Sequence, residues 1–223
     1  MATFVLIPGA GGQASYWNRL VPELTARGHE AIAVELPAGD ESAGLSEYAD
    51  VVVDAIGGRD GGDGDGGDDI VLVAQSMGGF TAPLVCERVP VRLLVLLNAM
   101  IPRPGEPGGQ WWAETGYRQA HPEEMDVERD FFHDVPPEVR AEVIGQGEPQ
   151  QSGTPFEQPW PLAKWPDVPT RFVQGRDDRF FPLEFQRRVV RERLGLELDE
   201  IPGGHLAALS RPRELAEYLV SLV

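Results

Sequence analysis

Short, nearly unbroken apolar runs recur along the chain, separated by longer segments whose apolar positions fall three and four apart. Residues 3–7, 31–35, 70–74, 93–98, 170–174 and 197–201 are rich in β-branched and aliphatic side chains, which predicts strands, most of them covered on both faces. Residues 17–26, 45–56, 77–88, 183–194 and 212–223 carry the helical period. Regular alternation of the two predicts an α/β fold, a mostly parallel central sheet of about six strands flanked by helices. The alternation breaks once, from about 102 to 169, where Pro, Gly, Trp and charge accumulate around helical pieces near 110–118, 122–133 and 136–144. An insertion after the fourth strand lies over the carboxyl edge of the sheet. Residues 102–169 are therefore expected to form a small helical cap on a core made of 1–101 and 170–223.

Composition narrows the partners. A chain of 223 residues, 42% of them hydrophobic, can bury one good core and is not a disordered segment. Its formal net charge of −17, from 36 acidic and 19 basic residues, repels nucleic acid and anionic membrane surfaces alike. The same field disfavours free carboxylates and leaves neutral small molecules untouched, so a neutral small-molecule substrate is expected. Cys86 stands alone, which rules out an intrachain disulfide, and its helical position favours a buried thiol. The opening MATFVLIPG has neither the basic nor the long apolar region of a secretory leader, and no apolar run reaches membrane-spanning length, so a cytoplasmic location is the expectation. Oligomeric state leaves no readable mark. The stretch GGRDGGDGDGGDD at 57–69 completes neither an EF-hand loop nor a repeated Gly-Asp nonapeptide; a flexible, solvated connection is expected there rather than a calcium site.

The third apolar run ends unusually. In VLVAQSMGGF a buried strand stops at Ser76 and a helical pattern begins directly after it. Ala74, two residues before the serine, and Gly78, two after it, are small enough for a tight strand-to-helix turn, a nucleophile elbow with Ala in place of the first Gly. Such a turn lifts a hydroxyl to the carboxyl edge of the sheet, where ligands bind in open α/β folds. A simple N-cap serine explains the same residues structurally.

A serine hydroxyl needs a base, and four histidines are available. His29, in ARGHEAIAVELP, falls at a helix-to-strand turn on the opposite edge. His121 and His133 lie in the insertion, where exposed and substrate-facing roles are both open. His205, in IPGGHLAALSRP, sits in the loop leaving the last strand at the same edge as Ser76, and Gly203 and Gly204 let that loop turn the ring inward. The imidazolium formed during attack needs a carboxylate, and FVQGRDDRFFP offers Asp177 and Asp178 after the fifth strand. Adjacent side chains diverge, so one of them at most can meet His205; Asp178 holds the inner position of the turn before Pro182, with Asp177 as the alternative. Both could instead cap the helix starting near Pro182. The glycine-rich loop LIPGAGG, after the first strand, can aim the Ala10 N–H at Ser76, and the Met77 N–H would complete an oxyanion hole, with Gly9 close to bound substrate. As a dinucleotide fingerprint GAGGQAS is weak, having Ala14 at the third glycine, and that reading leaves the elbow, the acid turn and GGH unexplained.

With these pieces placed, the chain resembles the α/β-hydrolase superfamily over nearly its whole length. FVLIPGAGGQASYWNRLVPELTARGHEAIAVELP and PGGHLAALSRPRELAEYL are similar to the two ends of its hydroxynitrile lyase and plant methyl-ester esterase branch. The resemblance implies a Ser-His-Asp triad, with neither a metal nor an organic cofactor. In that family the acid commonly stands three residues after a glycine and four before a proline, which Gly175, Asp178 and Pro182 reproduce. Two departures, Pro8-Gly9 for His-Gly and Gln75 for the His before the nucleophile, remove no backbone N–H from the hole. Two others bear on chemistry: the lyases' threonine and lysine are Gly9 and Leu206 here, which leaves cyanide without a partner and points to hydrolysis. The resemblance thus implies a carboxylic ester hydrolase, with cofactor-free lyase or oxygenase chemistry, or a non-catalytic ligand-binding homologue, as alternatives on the same fold. In the insertion, WWAETGYR raises the expectation that Trp111 or Trp112 faces the cavity over Ser76 while its neighbour packs the cap.

Overall fold

Packing partners that alternate along the central strands assign each residue to one side of the sheet. In the computed structural model, which describes residues 1–57, 69–121 and 123–223, Phe4 and Leu6 of β1 (Thr3–Ile7) pack with Leu20 and Leu24 of α1 (Leu20–Ala26) and with Leu215 and Leu219 of α11 (Pro212–Val220). Val5 and Ile7 point the other way, toward α2 (Leu45–Gly57), α3 (Gly78–Cys86) and α9 (Leu183–Leu194). The remaining strands are β2 (Glu30–Ala33), β3 (Ile70–Gln75), β4 (Leu93–Leu97), β5 (Thr170–Gly175) and β6 (Asp199–Ile201). All pairings are parallel, in the order β2-β1-β3-β4-β5-β6, so every strand delivers its carboxyl end to one edge. The side chains of β1, β3 and β4 are buried on both faces, which is why those runs read as continuous rather than alternating.

Several boundaries move for local reasons. β2 begins at Glu30 and stops at Ala33 instead of running to 35, because its partner β1 turns away at Pro8 and the register ends at Leu6 opposite Ala33. Residues 14–17 form a short 3₁₀ turn ahead of α1, with Trp17 wholly buried. The expected helical piece at 122–133 contracts to α6 (Val127–Asp130), capped by the Asp126 carboxylate accepting from the Arg129 N–H at 2.8 Å; its expected start, Pro122, lies outside the described residues. The other helices of this region are α4 (Gly108–Glu114), α5 (Tyr117–Ala120), α7 (Pro137–Gly145) and α8 (Thr154–Glu157). Of these, α8 was not expected, nor was the one-turn α10 (Ala207–Ser210) after β6. Within the Gly/Asp-rich stretch, residues 58–68 fall outside the described residues. Cys86, at the end of α3, is half-buried, and burial pushes its thiol up to about 12.

Segment 102–169 is bolted to the core by two indoles and an ion pair. The Trp111 Nε1–H donates to Ile101 O and the Trp160 Nε1–H to Phe80 O, each at 3.0 Å. Arg193 of α9 pairs with Glu106, both buried, and Nη2 to Oε1 is 2.8 Å. Removing either partner would strand a buried charge, at a typical cost of about 3–5 kcal/mol.

Candidate active site

Three loops leaving the carboxyl edge bring the sequence-nominated residues together. Ser76 follows β3 with φ 51, a left-handed conformation that a serine adopts only where its surroundings impose it. The turn is held by main-chain bonds: Ser76 N–H donates to Leu97 O at 3.1 Å, and Ser76 O accepts from Met100 N–H at 2.9 Å. Its glycines are steric requirements. A Cβ on Gly78 would stand 2.8 Å from Pro8 O, and one on Gly79 2.0 Å from Met100 O, so β1 and β4 crowd the start of α3. Gly9 is equally constrained, since a Cβ there would meet Gln75 Oε1 at 2.5 Å and Ser76 Cβ at 2.8 Å.

His205 is 1% exposed, and its Nδ1 lies 2.8 Å from Asp178 Oδ2. The other ring nitrogen, Nε2, is buried without a hydrogen-bond partner among the described residues, and no hydrogen bond joins it to Ser76. Phe131, Phe180 and Phe181 each present their rings edge-on to the imidazole, with centroids 5.0 to 5.2 Å away. Asp178 is tied down on every side: Oδ1 accepts from the Phe180 and Phe181 N–H groups at 2.8 and 2.9 Å, and Oδ2 also accepts from Gln174 Nε2 at 3.1 Å. A carboxylate so supplied with donors is held stationary beside the imidazole. Asp177 points elsewhere and accepts from the Gly203 N–H at 3.2 Å. Of the two candidate acids, it is Asp178 that meets the histidine.

Ser76 and His205 line one cavity of about 240 Å³, together with Gly9, Ala10 and Gln75. Neither the Ala10 nor the Met77 N–H donates to another group among the described residues, although the Met77 side chain itself is packed in the core. The rest of the wall is mostly apolar and comes partly from the insertion, through Met125, Val127, Phe131, Phe132 and Val143. Tyr16 also contributes, and burial holds its phenol far above the usual tyrosine range. The other histidines are placed apart from Ser76. His29 accepts from the Ala2 N–H at the opposite edge, His121 stacks on Tyr117, and His133 lies against Gly204.

The tryptophan expectation is corrected, because neither indole lines this cavity. Trp111 is fully buried against Phe181 and Phe185, while Trp112 faces a separate cavity of about 510 Å³ walled by Tyr117, His121 and Phe180. Both pack on the aromatic cluster at the start of α9, a partner that the spacing of WWAETGYR does not reveal. Trp111→Ala is accordingly expected to cost about 3–5 kcal/mol of stability with little change in the ranking of substrates. Denaturant unfolding checks this, and a loss below about 1 kcal/mol would contradict it.

Sequence reasoning also missed Gln75, which lines the cavity and reaches toward His205 O at 3.4 Å, and Asp134, which accepts from the Gly204 N–H at 2.8 Å. Asp134 carries no local motif, because it acts on a loop 70 residues away, and Gln75, though adjacent to the elbow serine, reaches a residue 130 positions away. Among the described residues, no helix is long and apolar enough to cross a membrane, and no group of three or more His, Cys, Asp or Glu side chains is placed to hold a metal ion.

Known proteins of similar sequence carry esterase names. Probable esterase PIR7A of Oryza sativa subsp. indica is 28% identical over 98% of this chain and 95% of its own length. Polyneuridine aldehyde esterase of Rauvolfia serpentina is 24% identical over 98% and 94%. A crystal structure titled as polyneuridine aldehyde esterase superposes with a TM-score of 0.80 at 20% identity, covering 100% of this chain and 99% of that one, and thus shares the fold. The model of the alpha/beta hydrolase family matches residues 4–218, nearly the entire sheet and all its edge loops, and the chain belongs to that family.

Proposed function

We propose that the protein is a serine hydrolase that cleaves a small, neutral, partly apolar carboxylic ester, thioester or lactone through an acyl-enzyme. The observation that carries this reading is the buried His205–Asp178 pair at 2.8 Å, with Nε2 left without a partner among the described residues and His205 lining the cavity that also holds Ser76. His205 Nε2 takes the Ser76 proton as Oγ attacks the carbonyl carbon, and Asp178 stabilises the imidazolium that results. The carbonyl oxygen becomes an oxyanion facing the Ala10 and Met77 N–H groups. Collapse of the tetrahedral intermediate breaks the bond to the leaving group, which receives the proton from His205. Water then gives a proton to His205 as its oxygen attacks the acyl carbon, and His205 returns that proton to Ser76 Oγ as the acyl–Oγ bond breaks and the acid leaves. No step calls for a cofactor.

Segment 102–169 is the cap in this reading. It supplies the apolar wall, where Met125 and Val127 are more than half exposed at the cavity and suit an uncharged acyl or alcohol group. The esterase names of the relatives support hydrolysis. So does the crowding at Gly9, which leaves no room for a hydroxyl-bearing side chain, while Leu206 in the wall supplies no cation for a departing cyanide.

A fluorophosphonate probe is expected to label Ser76, and an ester panel should show turnover of short neutral esters with mandelonitrile cleavage absent or marginal. Absence of both labelling and ester turnover would refute the reading, as would mandelonitrile cleavage at a rate comparable with ester hydrolysis.

A further inference from the structure

The residue after β4, Asn98, is fully buried and has φ 46. Its Nδ2 donates to Gly204 O at 3.1 Å and to His205 O at 3.0 Å, and its Oδ1 accepts from the Gly175 N–H at 2.7 Å. One side chain thus joins the ends of β4 and β5 to the loop that carries His205. We propose that Asn98 is a positioning residue for the reaction, holding the main chain of His205 in register with Asp178. The inference rests on the reading of His205 as the base.

The side-chain chemistry at this point is narrowly specified. Two carbonyl oxygens and one N–H converge on one planar group, which must offer two donor hydrogens and one acceptor at fixed separation. The amide does this in one orientation only, because a flip would set its oxygen against both carbonyls. The backbone must also sit in the left-handed region, where asparagine is tolerated better than most side chains. Asp lacks the donors when ionised, and Gly satisfies the backbone while removing a partner from three buried groups, leaving His205 O only the longer contact from Gln75.

The histidine loop has little freedom to compensate. Its N–H groups are held by other side chains, Gly203 by Asp177 at 3.2 Å and Gly204 by Asp134 at 2.8 Å. For the carbonyls, Gly204 O depends on Asn98, and His205 O has besides it only the longer contact from Gln75 Nε2 at 3.4 Å. Below the loop, a Cβ on Gly175 would stand 2.5 Å from Gly203 O and 2.6 Å from Gly204 O, so the loop rests directly on the end of β5. Losing Asn98 leaves two carbonyls seeking donors and shifts the backbone that aims the ring. Misplacement on the order of 1 Å can cost about 10²-fold in rate.

Asn98→Gly and Asn98→Asp test this from two sides. The first keeps the left-handed backbone and removes the amide; the second keeps the shape and sets a carboxylate against two carbonyls. Rates are taken per active site, titrated with fluorophosphonate, alongside unfolding curves, the pH profile of kcat/KM and the low-field proton resonance of the His205–Asp178 hydrogen bond. Folded variants are expected to lose about 10²-fold in kcat with KM within ~3-fold of the parent. Because a displaced ring loses its contact with Asp178, the low-field resonance should vanish and the pH profile of kcat/KM should change with it. A purely structural role would lower the melting temperature and the titratable fraction while leaving the pH profile and per-site kcat in place, and that result overturns the proposal. If Asn98→Asp fails to fold, Asn98→Gly decides. Failure of the hydrolase reading is separately visible as a parent protein that neither labels nor turns over ester; the resonance then decides alone, its loss in Asn98→Gly supporting the clamp and its persistence unchanged refuting it.

Discussion

Ser76→Ala and His205→Ala are each expected to lower kcat for an activated short-chain ester by ~10³-fold or more, in proteins that still fold. The serine change removes only Oγ. The bonds that hold the elbow run through the Ser76 main chain to Leu97 and Met100, so the turn survives with its left-handed φ occupied by another residue with a Cβ. Melting temperature should therefore barely move. The histidine change is less gentle, because it empties the space among Phe131, Phe180 and Phe181, and a loss of about 2–4 kcal/mol is the expected scale for a large buried side chain. Asp178 keeps two backbone N–H donors and Gln174, so it is not stranded as a bare buried charge. Activity and unfolding curves measured together separate chemistry from folding. A folded variant with parental turnover would remove that residue from the proposed unit.

The second large effect is a contrast between neighbours. Asp178→Asn is expected to reduce kcat by ~10³–10⁴-fold, whereas Asp177→Asn should cost under ~10-fold. At 178 both carboxylate oxygens are used as acceptors, one by the His205 Nδ1–H and Gln174, the other by two backbone N–H groups. An amide can keep one of those faces but must turn an NH₂ toward the other. It either repels the backbone donors or forces His205 into the tautomer with its proton on Nε2, which cannot accept the serine proton. At 177 the single acceptor demand, from the Gly203 N–H, can be met by an amide oxygen. Steady-state rates for the two variants on the same ester settle the order, and a larger loss at 177 would transfer the acid role to that residue.

Strand and helix content was legible wherever burial imposes a local period. β1 and α9 occupy the expected residues, 3–7 and 183–194, because their ends are marked by Pro8 and Pro182 and by Gly195. The elbow was readable for a related reason, since its requirements for Ser76 and Gly78 are met within a few residues of chain. Asp178 was nominated by spacing, but the donors that hold it come from Gln174, Phe180 and Phe181 and emerge only once the turn is folded. What stayed hidden depends on distant segments. Asn98 reads as the last residue of an apolar strand, LLVLLN, yet it leaves the strand and works on residues more than seventy positions away. The lone polar side chain ending that run was the available signal. Trp111 and Trp112 mislead in the opposite sense, because large aromatics beside a proposed cavity suggest a wall when their partners are in fact Phe181, Phe185 and Tyr117.

Neighbouring strands β4 and β5 are separated in the chain by residues 98–169, although they lie side by side in the sheet. Closing a long flexible connection costs entropy that grows only with the logarithm of its length, about 0.6 kcal/mol for each doubling. The pairing of Leu94–Leu97 with Thr170–Val173 therefore sets almost no limit on how many residues intervene. The constraint falls instead on the points where the segment is tied to the core, among them the indoles of Trp111 and Trp160, the Arg193–Glu106 pair, and Phe131 and Asp134 against the His205 loop. Selection can lengthen, shorten or reshape what hangs between those points without disturbing the edge that carries Ser76 and His205. Changes in that one interval of sequence are thermodynamically cheap to explore, and the diversification of such proteins should be concentrated there.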